Sequence, residues 1–307
     1  MVPIQGAFTT QIGIQIINSQ NVATPGPFQQ MLQLSISQLQ AYTLLANDLH
    51  NVRFAYNGSY IPAWLESISN GVATIWVNIP VSIPANSSIT IDMEVDPSLN
   101  FDGNYWGEAP QLSPTYAEYD NGASVFPFYD DFKGTTLSSA WTVPSGSNYY
   151  VNDGFIPELS GGPITAVYNS NIQETSSIIA EWCLNMSSTS YSGYLPNFQL
   201  NRYSYNSNMH FLAQSGNDAL SNAGNVINQV SISSAGIQVF GVWNGGTTVT
   251  WYYEGNSYTD TSATAVTDYL ALGWAYNGQS YNFPTIYWVR TRVYPPNGVM
   301  PSVEVMV

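Results

Sequence analysis

The chain has 307 residues and sets five Lys and Arg against twenty Asp and Glu, a formal charge of −15 at neutral pH. Charged residues make up 8% of it, against about 25% in an ordinary soluble domain, and Arg53, Lys133, Arg202, Arg290 and Arg292 are too few and too scattered for the basic patch that phosphate binding requires. Nucleic acid is therefore excluded as a partner. With every carboxylate and histidine protonated the charge reaches only +7, so strong acid would not drive the chain apart by self-repulsion.

That balance implies a surface kept in solution by neutral hydrogen-bonding groups, suited to an acidic exterior or a crowded assembly. The length and the 44% apolar content suffice for two buried cores. Cys183 is the only cysteine, so no intramolecular disulfide can form. No apolar run approaches the roughly 18 residues of a membrane-spanning helix. The start, Met1-Val2-Pro3-Ile4-Gln5, lacks the basic and apolar regions of a secretory leader. The expectation is that a leader has been removed or that an assembled particle carries the protein out.

In chain order, Ile12, Ile14 and Ile16 alternate with Gly13 and Gln15, and Leu32, Leu34 and Ile36 with Gln33 and Ser35. This period of two marks half-buried antiparallel strands. From Gln38 to Leu49, Leu39, Tyr42, Leu45 and Leu49 recur at spacings of three and four and predict a short helix. Alternation returns at Ile75, Val77 and Ile79, and is cleanest at Ile89, Ile91, Met93 and Val95, with Thr90, Asp92, Glu94 and Asp96 on the opposite face. It stops over 97–124, where turn dipeptides accompany Trp106, Tyr116 and Tyr119, so this connection is expected to be irregular but packed down. Strands resume at Ile178–Met186, at a hairpin of Ile237–Trp243 and Val249–Tyr253, and at Tyr269–Tyr276 and Ile286–Val293. Six Asn-Gly pairs, at Asn57, Asn70, Asn121, Asn244, Asn277 and Asn297, supply tight turns. The pattern is all-β, two antiparallel β-sandwich domains with a boundary near 120–130.

Two stretches resemble known families. Asn51-Val52-Arg53-Phe54, Ile61-Pro62-Ala63-Trp64-Leu65-Glu66, Ile75-Trp76-Val77, Ile83-Pro84-Ala85, Gly107-Glu108-Ala109-Pro110-Gln111-Leu112-Ser113 and Tyr119-Asp120-Asn121-Gly122 resemble a domain of unknown function common in archaeal surface proteins. In that family a concanavalin A-like, laminin-G-like jelly roll commonly follows. Here Phe126-Pro127-Phe128-Tyr129-Asp130-Asp131-Phe132 with Trp141 resembles its opening strand, and Ile286-Tyr287-Trp288-Val289-Arg290-Thr291-Arg292-Val293 its closing one. The resemblance implies an N-terminal sandwich over 1–125, including the 97–124 connection, a jelly roll over 126–307, and an exterior protein of adhesive or structural type. It implies no reaction.

Asp92, Glu94 and Asp96 share one strand face, but in an order and a domain that differ from the Glu-x-Asp-x-Glu of concanavalin-like glycosidases, so they read as a solvated face and no catalytic residue is assigned. Asp130, Asp131 and Asp120, with Asn121 and Asp153, are candidate calcium ligands, the alternative being turn caps. No other cofactor is expected. His50 and His210 lack partners at metal-ligand spacing, and Cys183 lies mid-strand rather than at an activating helix start. Tyr191, Tyr194, Asn197, Tyr203, Tyr205, Trp243, Trp251, Tyr252 and Tyr253 combine flat rings with amides and hydroxyls, suited to a sugar face or a protein interface. Asn57, Asn86 and Asn185 open glycosylation sequons.

The resulting expectation is a non-catalytic structural or attachment protein on an archaeal virion or cell surface, contacting glycans or neighbouring subunits as a homo-oligomer or part of a larger assembly. The alternatives are a secreted polysaccharide-active enzyme or its carbohydrate-binding module, and a filament subunit whose strand Phe8–Ile17 completes a neighbour's sheet.

Overall fold

A computed structural model describes residues 9–158, 164–173, 175–186, 193–198, 209–214, 217–222, 225–229, 236–253, 255–262, 269–275 and 284–306. The protein is all-β and divides into two units, Met1–Phe128 with Arg292–Val307, and Tyr129–Thr291.

The first unit contains β1 (Thr10–Asn18), β2 (Phe28–Ser35), β3 (Val52–Tyr56), β4 (Ser59–Ile61), β5 (Ala63–Ser69), β6 (Val72–Ile79), β7 (Ser87–Val95) and β8 (Trp106–Glu108). One sheet runs β1–β7–β3–β4 and the other β2–β6–β5–β8. The alternating residues do what their period dictates: Ile12, Ile14, Ile16, Ile91 and Met93 of one sheet and Leu32, Leu34, Ile75 and Val77 of the other form a single buried cluster. Asn57-Gly58, at φ 50° and 75°, and Asn70-Gly71, at 51° and 76°, make the left-handed turns joining β3 to β4 and β5 to β6.

Two local expectations change. The helix predicted over 38–49 is a short α1 (Ile36–Gln40). Beyond it Asn51 takes over the backbone groups a longer helix would have paired, accepting from Ala46 N at 2.9 Å and donating to Leu44 O at 3.0 Å. Leu39, Leu45 and Leu49 remain buried, while Tyr42 turns out to solvent. The 97–124 connection is packed, as its aromatics imply, but it holds β8, which pairs in parallel with β5, and leads into a four-residue α2 (Gly122–Val125). Trp106 anchors it, donating its indole N–H to Leu49 O at 2.8 Å and stacking on Phe101 at 5.6 Å.

The second unit comprises β9 (Phe128–Asp130), β10 (Tyr149–Val151), β11 (Phe155–Pro157), β12 (Ile164–Gln173), β13 (Ile178–Met186), β14 (Gly193–Phe198), β15 (Met209–Gln214), β16 (Asn217–Asn222), β17 (Asn225–Gln229), β18 (Gly236–Asn244), β19 (Val249–Tyr253), β20 (Asn256–Asp260), β21 (Tyr269–Ala275) and β22 (Thr285–Val293). One antiparallel sheet runs β10–β11–β22–β13–β18–β19–β20, with β9 also on β22, and the second β12–β21–β14–β15–β16–β17. This is the two-sheet sandwich expected of a jelly roll. The sheets approach closely at Gly273, where a Cβ would lie 2.7 Å from Pro157.

The last strand, β23 (Ser302–Met306), returns to the first unit and pairs antiparallel with β1, Gly13 opposite Met306 and Ile17 opposite Ser302. Residues 292–307, expected within 126–307, therefore group with the first unit. Val293, Met300 and Val303 pack on its core, Gln29 Oε1 accepts from Val293 N, and Gln30 Nε2 donates to Pro301 O. Strand β1, the segment expected to serve a neighbour's sheet, is held on both sides in its own, between β7 and β23.

Candidate functional site

The scarce cations are mostly withdrawn from the surface. Arg53, Arg290 and Arg292 are buried, and among the described residues Lys133 alone of the Lys and Arg side chains is exposed. Arg53 donates to Asp102 Oδ2 at 2.9 Å and to Asn100 O at 2.8 Å. Arg292 lies 5.1 Å from the centre of the Trp76 ring. Arg290 donates through Nε to Glu181 Oε2 at 2.7 Å and sits 4.6 Å from the centre of the Trp288 ring. Asp92 and Glu94 alternate with buried Met93 and Val95 and face outward.

In the second unit the strand registers sort the aromatic candidates. Trp182 faces Phe240, which faces Tyr253, and Val242 faces Trp251. This face is the apolar core, where Phe240 and Tyr253 stack at 4.7 Å. Trp251 and Tyr253, expected at a glycan or protein contact, are therefore core residues, 0% and 3% exposed. On the opposite face Glu181 faces Gly241, Gly241 faces Tyr252, Trp243 faces Thr250, and Thr250 faces Thr259. Trp243 and Tyr252 are half-buried there. Trp243 lies flat over the hairpin, where a Cβ on Gly245 would come within 2.3 Å of its ring, and its indole N–H donates to Ser176 O at 2.9 Å. Trp243 and Tyr252, with exposed Thr259, whose hydroxyl pairs at 3.1 Å with that of buried Thr250, make a ring-and-hydroxyl strip suited to a sugar face. Of the hairpin aromatics that the sequence singles out, Trp243 and Tyr252 are therefore the two on this half-buried face.

The other candidates scatter. Tyr194 and Asn197 lie on β14, opposite Leu212 and His210 of β15. Tyr191, Tyr203 and Tyr205 lie outside the described residues. Asp120 Oδ1 accepts from Trp64 Nε1 at 2.8 Å and Gly122 N at 2.9 Å. Asp130 accepts from Trp141 Nε1 at 2.7 Å and Phe132 N at 2.9 Å, and Asp131 from Lys133 N at 3.0 Å. These oxygens cap turns and anchor indoles, and among the described residues no three His, Cys, Asp or Glu side chains gather where they could hold a metal ion. Burial pushes the Asp130 carboxyl above the usual carboxylate range. Asn57 and Asn86 are exposed at turns, each at φ 50°. Asn185 is mid-strand with its amide bound to Tyr287 Oη at 3.0 Å, a geometry that withholds it from glycosylation in the folded chain.

The first unit carries a separate feature. Gln33, Leu34 and Ser35 of β2, Leu39 and Tyr42 at α1, and Val303 and Val305 of β23 line a cleft of about 620 Å³.

Fold and surface together define a two-unit β-sandwich protein whose exposed skin is nearly free of cations among the described residues. No family model matches the chain, so the archaeal surface-protein domain that the first half resembles is not confirmed. The chain is similar to the uncharacterized protein 562 of Sulfolobus islandicus rod-shaped virus 1, 37% identical over 171 residues, which are 52% of this chain and 28% of that protein. It thus spans less than a third of the viral protein it matches. Similar solved structures include the endo-β-1,3-glucanase of Pyrococcus furiosus, 15% identical over 56% of this chain and 95% of that one, with a TM-score of 0.37. Others are the laminarinase catalytic domain of Thermotoga petrophila, 9% identical over 54% and 96% with a TM-score of 0.33, and a family 43 glycoside hydrolase of Bacillus licheniformis, 14% identical over 77% and 47% with a TM-score of 0.38. No helix of the described residues is long and apolar enough to cross a membrane.

Proposed function

We propose that this protein is a non-catalytic component of the exterior of an archaeal virus particle, where it forms part of the surface and attaches to glycans or to neighbouring subunits. The observation that carries the reading is the 37% identity, over half the chain, to a protein of an archaeal virus. The disposition of charge supports it: with three arginines buried and Lys133 the exposed basic residue among those described, protonating the carboxylates leaves a nearly neutral surface that keeps its fold in acid. The strip of Trp243, Tyr252, Thr250 and Thr259 is the glycan-facing candidate.

A glycoside-cleaving role has less support. Cleavage with retention needs two carboxyls about 5 to 5.5 Å apart, flanking one bond. The acid that β13 offers is Glu181, committed to Arg290, and the next residues on that face are Cys183 and Asn185. Immunogold labelling of intact purified particles tests the proposal. Label on the particle surface supports it, whereas label confined to the culture fluid, together with polysaccharide hydrolysis by the purified chain, sinks it.

A further inference from the structure

Among the described residues, strand β23 ends its sheet and pairs on one side only, with β1. An open edge presents unpaired N–H and C=O groups, and proteins usually blunt such edges with lysines, prolines, bulges or a covering segment. The neighbouring edge strand β2 is treated in that way. Gln30 folds back to donate to Met31 O at 2.8 Å and to Pro301 O at 3.0 Å, and Gln29 Oε1 accepts from Val293 N, so the 293–301 segment lies along β2. Strand β23 carries no lysine, proline or bulge over Ser302–Met306.

Its side chains are arranged for company. Val303 and Val305 turn into the cleft shared with Leu34, Leu39 and Tyr42. Val303 packs on the core, but Val305 is 37% exposed, and Tyr42 and Leu44 are 63% and 64% exposed. Glu304 points to the other face, with Gln15 of β1 opposite it. The sequence Val303-Glu304-Val305 reads the same in both directions. An antiparallel partner of the same sequence, centred on Glu304, sets Val303 opposite Val305 of a second copy and Val305 opposite its Val303, and both valine pairs face the cleft side. A basic peptide would find one carboxylate on this edge, so charge does not select such a partner, whereas the Val303-Glu304-Val305 alternation matches itself in a second copy.

We propose that β23 pairs with β23 of a second copy of this chain across a two-fold axis at Glu304, joining the two sheets into one and closing the cleft beside each copy. Strand addition satisfies the open edge with backbone hydrogen bonds and buries Val305. Glu304 then faces its own counterpart, and like charges directly opposite weaken a strand pair modestly. The inference rests on the reading of the chain as an assembling structural protein, since it names the neighbour.

Cysteine cross-linking of the full chain tests it, because Cys183 is 0% exposed and does not compete. Residues directly opposite in an antiparallel pair have Cα atoms about 4.5 to 5.5 Å apart, within disulfide reach. Glu304→Cys should therefore give a disulfide-linked dimer on mild oxidation. Ser302→Cys alone should not, while Ser302→Cys mixed with Met306→Cys should give the cross-linked pair. In sedimentation, Glu304→Gln should tighten dimerisation up to about fivefold by removing the like-charge contact, and Glu304→Lys should leave it near the wild-type level or weaker. Circular dichroism confirms that each variant is folded. A folded Glu304→Cys chain that stays monomeric, or cross-links no faster than Ser302→Cys, overturns the proposal, as does a dimer joined at another surface. These outcomes are independent of the particle labelling: absence from particles would remove the structural role and leave the cross-link, and a missing cross-link would leave the particle location untouched.

Discussion

Arg290 Nε donates to Glu181 Oε2 at 2.7 Å in the interior of the second unit, where the two side chains are 1% and 7% exposed. Gly241 makes room for the pair, since a Cβ there would stand 3.1 Å from Glu181 Cγ. A buried ion pair is weak evidence of net stabilisation, but breaking one strands a charge away from water. Glu181→Gln and Arg290→Met should each cost about 3 to 5 kcal/mol in urea unfolding. The double variant Glu181→Leu with Arg290→Met should recover much of that loss. Single variants that lose less than about 1 kcal/mol would mean that the pair is hydrated.

Glu108 behaves differently with pH. Burial holds its carboxyl above the usual carboxylate range, with Asp48 and Glu118 adding to the rise against a hydrogen bond from Ser113. A carboxyl whose folded value is raised contributes stability that is complete below its unfolded value, about 4.3, and is lost as pH climbs through the folded value. Glu108→Gln should therefore match the wild type near pH 3 and melt higher at pH 7. Equal melting differences at both pH values would contradict this.

Gly107 has no room for a side chain. A Cβ would fall 2.3 Å from both Asn121 Oδ1 and Tyr119 O, and Asn121 is itself fixed by donating to Ala63 O at 3.1 Å and Asn104 O at 3.0 Å. Gly107→Ala should cost about 1 to 3 kcal/mol, read by thermal unfolding, with the loss confined to the first unit if the two units melt separately.

The two tryptophans of the β18–β19 hairpin should separate stability from attachment. Trp251→Ala empties a fully buried site and should cost about 3 to 5 kcal/mol. Trp243→Ala, which removes a half-buried ring and one hydrogen bond to Ser176 O, should cost less than Trp251→Ala, leave the chain folded, and reduce retention on a glycan array at least tenfold. Unchanged glycan retention by folded Trp243→Ala would remove the strip from consideration.

Much of the architecture could be read from period-two alternation, because a strand with one buried face must alternate. Ile12, Ile14, Ile16, Ile91, Met93 and Val95 are all buried as read. Pairing was harder to see. Nothing local to Ser302–Met306 says that it lies beside β1, nearly three hundred residues away in sequence. Alternation also fails where both faces are covered: on β13, Ile179 to Leu184 are buried without a break, which hides that Glu181 points to one face and Trp182 to the other. The helix is shorter than the leucine spacing predicts, because leucines at helical spacing can also be buried by a loop, here one held by Asn51. Composition revealed how few cations there are, but not that three of them are interior, since that depends on Asp102, Glu181 and Trp76 arriving from distant strands.

If the chain is built into a particle's exterior, its copy number per purified particle, read by quantitative mass spectrometry before and after surface proteolysis, reports it. Many copies per particle, accessible to protease from outside, are expected. A chain absent from particles, or present only inside an uncleaved shell, would contradict it.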